Sequence, residues 1–314
     1  MSKVIVTGGA GFIGSHIVEE LLRKDFKVSV IDNFSTGRRE NIEHLPIEVI
    51  NYDITDPSVI ELIVSLCPDY IIHQAAQVSV AESVRDILFD EKVNIRGSLH
   101  IIKAAIKSKV KRVVFASSAA VYGNPVALPL TIAHPTQPES PYGLTKLSVE
   151  NYLKMSSKLY QLPYSILRYS NVYGPRQDSK GEGGVVAIFS NQLTENRTPV
   201  IYGDGEQTRD FIFVKDVASA NVKALNVKEN INVHVSSGSC ISINELFETM
   251  KEATGSHLSP IYKQERPGDI RHSILANEET KTILNWEPSM TLFEGIQETL
   301  QFSNKAYQLQ LVNG

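Results

Sequence analysis

Tyr142 and Lys146 stand four residues apart in the stretch Ser140-Pro141-Tyr142-Gly143-Leu144-Thr145-Lys146. At that spacing a phenol and an ammonium lie on one face of a helix. Ser140 suits the N-cap and Pro141 the first helical position, where a missing N–H costs nothing, so the helix is expected to begin at this pair. A free phenol has a pKa of about 10; a base active near neutrality needs it lowered by roughly 3, or about 4 kcal/mol of preferential phenolate stabilisation. An adjacent cation and the positive end of a helix dipole both act in that direction. The same spacing also occurs on solvated helix faces, so the pair takes its meaning from the elements around it.

Those elements begin at the N-terminus. Lys3 to Thr7 reads as a buried strand, followed by Gly8-Gly9-Ala10-Gly11-Phe12-Ile13-Gly14 and an amphipathic helix with Ile17, Val18, Leu21 and Leu22 on its apolar side. The next strand, Lys27 to Asp32, ends in an acid 18 residues beyond Gly14. Strand, glycine turn, helix and acid-ended strand form the context of a dinucleotide site. Glycines admit the backbone to a pyrophosphate at a helix N-terminus, and the acid takes the ribose hydroxyls. Asp32 favours NAD over NADP, since its charge repels a 2′-phosphate; Arg38 and Arg39 lie further on and argue the other way.

The alternation continues with strands near Ile47 to Asn51, Tyr70 to His73, Val113 to Ala116 and Tyr164 to Arg168, and helices over Pro57 to Leu66 and a long tract from about Ala81 to Ser108. All-apolar strands of this kind belong to a doubly wound parallel sheet, a Rossmann-type α/β fold, whose ligands gather at the strands' C-terminal ends. The glycine turn, His73 and Ser118 fall there, so Ser118 is placed to meet Tyr142. His73 reads as a base by its position and as a packed structural histidine by its small neighbours. After Arg168 the rhythm fails. Arg209 to Val214 reads as a strand, Asp216 to Leu225 as a helix, Asn232 to Val235 as a strand and Asn244 to Ala253 as a helix. Two terminal helices are expected to end near Phe302, with Gln308 to Gly314 as a tail. The expected division is a NAD-binding domain over 1–170 plus about 211–240, and a smaller discontinuous α/β substrate lobe over about 171–210 plus 241–314.

Composition excludes several classes. With 314 residues, 42% hydrophobic and 21% charged, the chain can bury a large core. A net charge of −4 with no basic tract gives no support to nucleic-acid or anionic-membrane binding. Cys67 and Cys240 form no CxxC, so neither a disulfide framework nor a zinc site is expected, and no metal. There is no cleavable hydrophobic leader and no apolar run near 20 residues, so a cytoplasmic protein is expected.

Taken together, Thr7 through Gly14, Asp53-Ile54, the Ser118 segment, Tyr142 with Lys146, Arg168 through Arg176 and Arg209-Asp210-Phe211 resemble the extended branch of the short-chain dehydrogenase/reductase family. They occur in the family's order over nearly the whole chain. Within that branch the chain is most similar to the UDP-galactose (UDP-glucose) 4-epimerases, to which Arg266-Pro267-Gly268-Asp269 and Trp286-Glu287-Pro288 also correspond. The resemblance implies that Tyr142, as phenolate, takes the proton of a sugar C4 hydroxyl as hydride passes to NAD. Lys146 holds the phenolate and bonds the nicotinamide ribose, and Ser118 relays the proton. It further implies NAD contacts at Gly8, Gly11, Phe12, Ile13, Gly14, Asp32, Asn33, Asp53, Ile54 and Asn94. Asn171, Arg209 and Arg266 are implied at the diphosphate and nucleotide, where amides and guanidinium forks suit an anion.

Departures from sister families narrow this. Sugar-nucleotide 4,6-dehydratases carry an Asp-Glu pair, and UDP-glucuronate decarboxylases a glutamate, where this chain has Ala119 and Ala120. Oxidation and return at C4 is the simplest activity for the remaining groups. Arg176 or Arg271 would suit a sugar carboxylate, which keeps a UDP-glucuronate 4-epimerase open. Counted from the Arg266 motif, the resemblance implies that Ser273 takes a position where a bulky aromatic limits the sugar pocket, so UDP-N-acetylhexosamines are expected beside UDP-hexoses, unless Ser273 is an ordinary loop residue. A non-catalytic NAD-binding module and a net reductase are the competing classes; a module would be expected to have lost part of Ser118, Tyr142 and Lys146. The resemblance also implies a homodimer built from the 81–108 tract and the Tyr142 helix.

Overall fold

The computed structural model describes residues 1–179, 184–265 and 270–313. Six strands lead the chain: β1 (Lys3–Thr7), β2 (Lys27–Asp32), β3 (Glu48–Asn51), β4 (Tyr70–His73), β5 (Arg112–Ser118) and β6 (Tyr164–Tyr169). Short strands follow: β7 (Asn171–Tyr173), β8 (Val200–Tyr202), β9 (Thr208–Arg209), β10 (Phe211–Phe213), β11 (Ile231–Val235), β12 (Ile241–Ser242) and β13 (Ile261–Lys263). The main sheet has the order β11-β6-β5-β4-β1-β2-β3, all parallel. The order reverses between β1 and β4, which is the switch point where a doubly wound sheet opens a crevice at its C-terminal edge.

Alternation along the strands builds both faces. Val4, Val6, Val28 and Val30 pack with Ile17, Val18 and Leu21 of α1 (Phe12–Arg23) on one side. Ile5, Ile31, Ile71, Val113 and Phe115 pack on the other, under α2 (Val59–Leu66) and the helices that follow. Each buried Val, Ile or Leu contributes about 1.5–3 kcal/mol, enough to hold the edge turns rigidly.

The 81–108 tract is not one helix. It divides into α3 (Val80–Arg85), α4 (Ile87–Asp90), a π-helical turn over Glu91–Gly97 and α5 (Ser98–Ser108). Asp86 breaks the first junction, since its extended backbone caps α4 and its carboxylate accepts from Phe89 N. The helix opening at Tyr142 is α6 (Pro141–Tyr160).

The expected Arg209–Val214 strand is also divided. β9 pairs antiparallel with β12, whereas β10 pairs parallel with β7. Asp210 lies between them, wholly buried and accepting from Ser170 Oγ, Ser237 N and Ser237 Oγ. Gly238 N and Leu275 N also donate to this carboxylate, which fixes the residue at which the chain passes from the β12 ladder to the β7 ladder.

The remaining helices are α7 (Val185–Thr194), α8 (Val214–Lys223), α9 (Ile243–Thr254), α10 (Glu278–Leu284) and α11 (Leu292–Asn313). α8 covers the α1 side of the main sheet, while Phe189, Phe213, Phe247 and Leu300 share a separate core beneath α7, α9 and α11. α11 runs to Asn313 instead of ending near Phe302, because Ile296, Thr299 and Leu300 anchor its first half in that core. Among the described residues, no helix is long and apolar enough to cross a membrane.

Candidate active site

The glycine turn is built by sterics. Gly8 takes φ +70° and donates from its N–H to Ile31 O at 2.8 Å. A Cβ on Gly14 would stand 2.1 Å from Gly8 O, so only glycine lets α1 start this close to β1. Gly11 caps α1 with no side-chain hydrogen bond, and the first turn carries no acid. The helix therefore presents its first N–H dipoles, at Phe12 and Ile13, toward any anion at this end.

Asp32 accepts from Ala10 N at 2.9 Å and Phe34 N at 2.8 Å, tying the end of β2 to the glycine turn. Burial raises its carboxyl above the usual range, against those two bonds. Asn33 donates to Asp53, and Asp53 accepts from Thr55 N at 2.7 Å. Arg39 stacks over Phe34 at 4.2 Å, and Arg38 lies 3.8 Å from Asp178. An uncapped helix start, glycines that exclude a Cβ, and an acid at the end of β2 fit a dinucleotide. Ile54 is less accessible than its neighbours: it is buried in the core, and its carbonyl bonds His100 Nδ1.

Ser140 caps α6 by accepting from Gly143 N, with Pro141 in the first turn, and Tyr142 N donates to Ser83 Oγ at 3.1 Å. The Ser118 hydroxyl stands beside the Tyr142 phenol and favours its ionised form, so the end of β5 meets the start of α6. Lys146 is buried and donates to Ala116 O at 2.8 Å; its Nζ lies 5.7 Å from the Tyr142 ring centre. The ammonium thus reaches back to the strand and does not bond the phenol. Electrostatics follow that placement, and they reverse the expectation of a lowered phenol. Burial pushes Tyr142 up to about 12, the Ser118 hydroxyl opposing and the Asp90 carboxylate adding to the rise. Burial brings Lys146 down to about 8, with Asp90 holding it up.

His73 is structural in its contacts. Both ring nitrogens are bonded, Nδ1 to Thr7 Oγ1 at 2.7 Å and Nε2 to Ser98 Oγ at 2.8 Å. Burial, and then the Lys146 charge, hold it neutral down to about 3.

On the smaller lobe, Asn171 is exposed and donates from its side chain to Asp210 O. Arg209 donates to Thr208 O at 2.9 Å. Ser273 is half-buried, and its N–H bonds Thr208 O, so Ser273 and Arg209 share one small patch of sheet. Two residues on, Leu275 packs with Val121, Tyr122 and Leu130 behind the Ser118 turn. Arg266 and its Pro267-Gly268-Asp269 neighbours lie outside the described residues. The two arginines considered for a sugar carboxylate already have partners. Arg176 bonds Ser15 Oγ and Glu19, and Arg271 makes a two-pronged pair with Asp204 at 2.7 and 2.8 Å.

Sequence reasoning missed Asp90, Gln77 and Thr145. Asp90 is wholly buried and accepts from Gln77 Nε2, Asn94 Nδ2 and Thr145 Oγ1. Asn94 in turn accepts from Gln77 N and donates to Gln77 O, so both ends of its amide bond protein groups. Asp90 stands among other charged residues, Asp86, Glu91 and Lys92, so nothing in the sequence singles it out.

Comparison with known proteins agrees with this geometry. The sequence profile of the NAD dependent epimerase/dehydratase family matches residues 4–236. The chain belongs to that family. A putative UDP-glucose 4-epimerase of Methanocaldococcus jannaschii is 44% identical over 300 residues, covering 95% of this chain and 97% of the relative. The crystal structure of the UDP-glucose 4-epimerase of Thermotoga maritima with UDP-glucose is 42% identical, with a TM-score of 0.94 over 97% of this chain and 99% of that one. A UDP-N-acetylglucosamine 4-epimerase of Methanobrevibacter ruminantium is 39% identical, with a TM-score of 0.93 over the same shares. The epimerase/dehydratase core thus spans the whole main sheet, since residues 4–236 run from β1 through β11.

Proposed function

We propose that this chain is an NAD-dependent 4-epimerase of UDP-hexoses, an isomerase that interconverts UDP-glucose and UDP-galactose and also accepts UDP-GlcNAc and UDP-GalNAc. The observation that carries this reading is the convergence of Ser118, Tyr142 and the buried Lys146 at one strand end, in a turn whose Ala119 and Ala120 offer no second acid or base.

Gly8, Gly11 and Gly14, with the Phe12 and Ile13 amides, would take the pyrophosphate, and Asp32 the ribose hydroxyls, with Asn33, Asp53 and Ile54 on the adenine side. Asn94 would stand on the nicotinamide side. Bound there, NAD supplies a positively charged hydride acceptor at the sugar C4 and gives the hydride back. The chain's own part is the proton. Tyr142 takes it from the C4 hydroxyl and returns it, Ser118 bonds the same oxygen and relays it, and Lys146 supports the phenolate and the nicotinamide ribose. Because burial holds the phenol near 12, deprotonation at neutral pH depends on positive charge added around it. Asn171, Arg209 and Arg266 would hold the diphosphate and nucleotide, and Ser273 would border the sugar.

Neutral sugars are favoured over uronic acids, since Arg176 and Arg271 are already paired and a substrate carboxylate would have to displace Glu19 or Asp204. The 1–170 and 211–240 segments form the NAD-binding domain in this reading, with 171–210 and 241–314 as the substrate lobe. A homodimer is supported by exposed Val84, Ile87 and Leu88 on α3 and α4, beside Leu144, Met155 and Leu159 on α6. Two exposed free cysteines, Cys67 and Cys240, suit the reducing cytoplasm.

The test is to incubate the purified protein, without added cofactor, separately with UDP-galactose, UDP-GalNAc and UDP-galacturonate, and to separate the products. Conversion of the first two to gluco epimers is expected, with the uronate slow. No conversion after NAD is supplied would overturn the reading.

A further inference from the structure

Asp90 is a carboxylate withdrawn from solvent in the middle of the functional region, and no step described above uses it. Three donors grip it. Gln77 Nε2 and Asn94 Nδ2 each reach Oδ1 at 2.9 Å, and Thr145 Oγ1 reaches Oδ2 at 3.2 Å. Thr145 is the residue before Lys146, and its one hydroxyl proton is shared between Asp90 Oδ2 and Tyr142 O, the latter at 2.8 Å, so the grip attaches directly to the turn of α6 that carries both groups.

We propose that Asp90 is a positioning residue for the Tyr142–Lys146 pair: its buried carboxylate, anchored through Asn94 and Thr145, holds a fixed negative charge beside both the phenol and the ammonium. This rests on the epimerase reading of the pair, although the placement of the charge does not.

The surrounding charges leave Asp90 as the anion that matters. Asp86 precedes it on α4, Glu82 and Arg85 pair with each other on α3, and Glu91 and Arg96 pair on the π turn beside Lys92. The charge acting on Asp90 is Lys146, and the charge acting on both Tyr142 and Lys146 is Asp90. Lys146 also faces His73, which it helps to keep neutral, and Tyr142 faces Tyr169. An anion at this place favours the ammonium and disfavours the phenolate. Removing it therefore moves both titrations to lower pH.

Asp90→Asn is nearly isosteric. Its Oδ1 can still accept from Gln77 and Asn94, and its new N–H can donate to Thr145 Oγ1, whose proton remains free for Tyr142 O. Two readouts are needed. In protein labelled with 13Cε-lysine, with Lys146 assigned from Lys146→Met, the Lys146 midpoint should fall from near 8 by roughly half to one pH unit. The pH profile of UDP-galactose turnover should move as a whole to the acid side. Asp90→Glu, which keeps the charge, should hold the midpoint near that of the parent even if packing lowers the rate. Where the Asn variant is unstable, Asp90→Thr deletes the same charge and should give the same displacement. An unmoved Lys146 midpoint in a folded charge-deleted variant, with turnover merely scaled down, would overturn the proposal. The lysine titration needs no substrate, so a displaced midpoint in a protein that epimerises nothing would sustain the assignment while removing the epimerase reading.

Discussion

Arg168 on β6 and Glu150 on α6 face each other as a two-pronged ion pair, Nε to Oε1 at 2.8 Å and Nη2 to Oε2 at 2.6 Å, both side chains withdrawn from solvent. Ser117 Oγ donates to the same Glu150 at 2.6 Å, and Arg168 Nη1 donates to the Tyr122 hydroxyl. Glu150 stands one turn beyond Lys146, and Ser117 stands next to Ser118. The pair therefore fixes how far the base-bearing helix sits from the strand end that supplies Ser118.

Breaking one half of that pair should cost far more than removing both. Glu150→Ala leaves a buried guanidinium unpaired, and a loss of about 3–5 kcal/mol in unfolding free energy is expected from urea titration. The double variant Glu150→Leu with Arg168→Met should recover much of it. If the single change costs under about 1 kcal/mol, the pair is not the brace described.

Tyr142→Phe removes the proton acceptor and should lower kcat for UDP-galactose by about 10²–10⁴-fold with little change in thermal stability. Ser118→Ala removes the hydroxyl beside the phenol and should cost less than the tyrosine change. Because both act on one proton, the double variant should be scarcely slower than Tyr142→Phe alone. Multiplicative losses in the double variant would mean that the two residues serve separate steps.

The glycine turn, the acid at Asp32 and the Tyr142–Lys146 helix were legible because each is local: a turn, a strand end and an i, i+4 spacing. The parallel sheet was legible for the same reason, since all-apolar strands announce one, whereas its strand order was not. Other features escaped. Apolar periodicity does not show that the 81–108 tract breaks at Asp86 and again at the π turn, because the first break is a local N-cap, Asp86 accepting from Phe89 N, that leaves the apolar spacing unchanged. The direction of the Tyr142 shift escaped too. A cation four residues away suggests a lowered phenol, but Lys146 turns to Ala116 O, and burial raises the phenol. Asp90 and Asp210 look like ordinary surface acids in sequence, and only the fold surrounds them with donors.

Gly14→Ala should separate cofactor binding from the rest of the fold. The new Cβ would meet Gly8 O at 2.1 Å and Gly9 Cα at 2.9 Å, both backbone, so the turn must open for α1 to keep its place. A loss of NAD affinity of tenfold or more by calorimetry is expected, with the unfolding midpoint in urea lowered as well. Gly255→Ala makes a useful control. It sits at positive φ, +64°, unlike the helical Gly14, and meets nothing within 4 Å, so it should lower stability modestly and leave NAD affinity unchanged.

Acid should destabilise the fold through its buried histidines. Burial pushes His73 down to about 3 and His16 and His234 to about 4, from an ordinary value of 6.5. Above pH 6.5 these rings are neutral in both folded and unfolded chains, and their contribution to stability is fully present. As pH falls from 6.5 toward 4, the unfolded chain takes up protons that the folded one refuses. Each ring then removes about 1.4 kcal/mol of stability per pH unit. Asp32, Asp90 and Asp210 act in the opposite sense. Burial raises them, so the folded chain protonates first and the steepness relaxes at the acid end of the window. Unfolding free energy measured by urea titration between pH 7 and 4.5 should therefore begin to fall near pH 6.5 and fall most steeply at about pH 5 to 5.5. His73→Gln, whatever it does to stability at pH 7, should flatten that dependence by about one proton, and an unchanged slope would show that His73 titrates alike in both states.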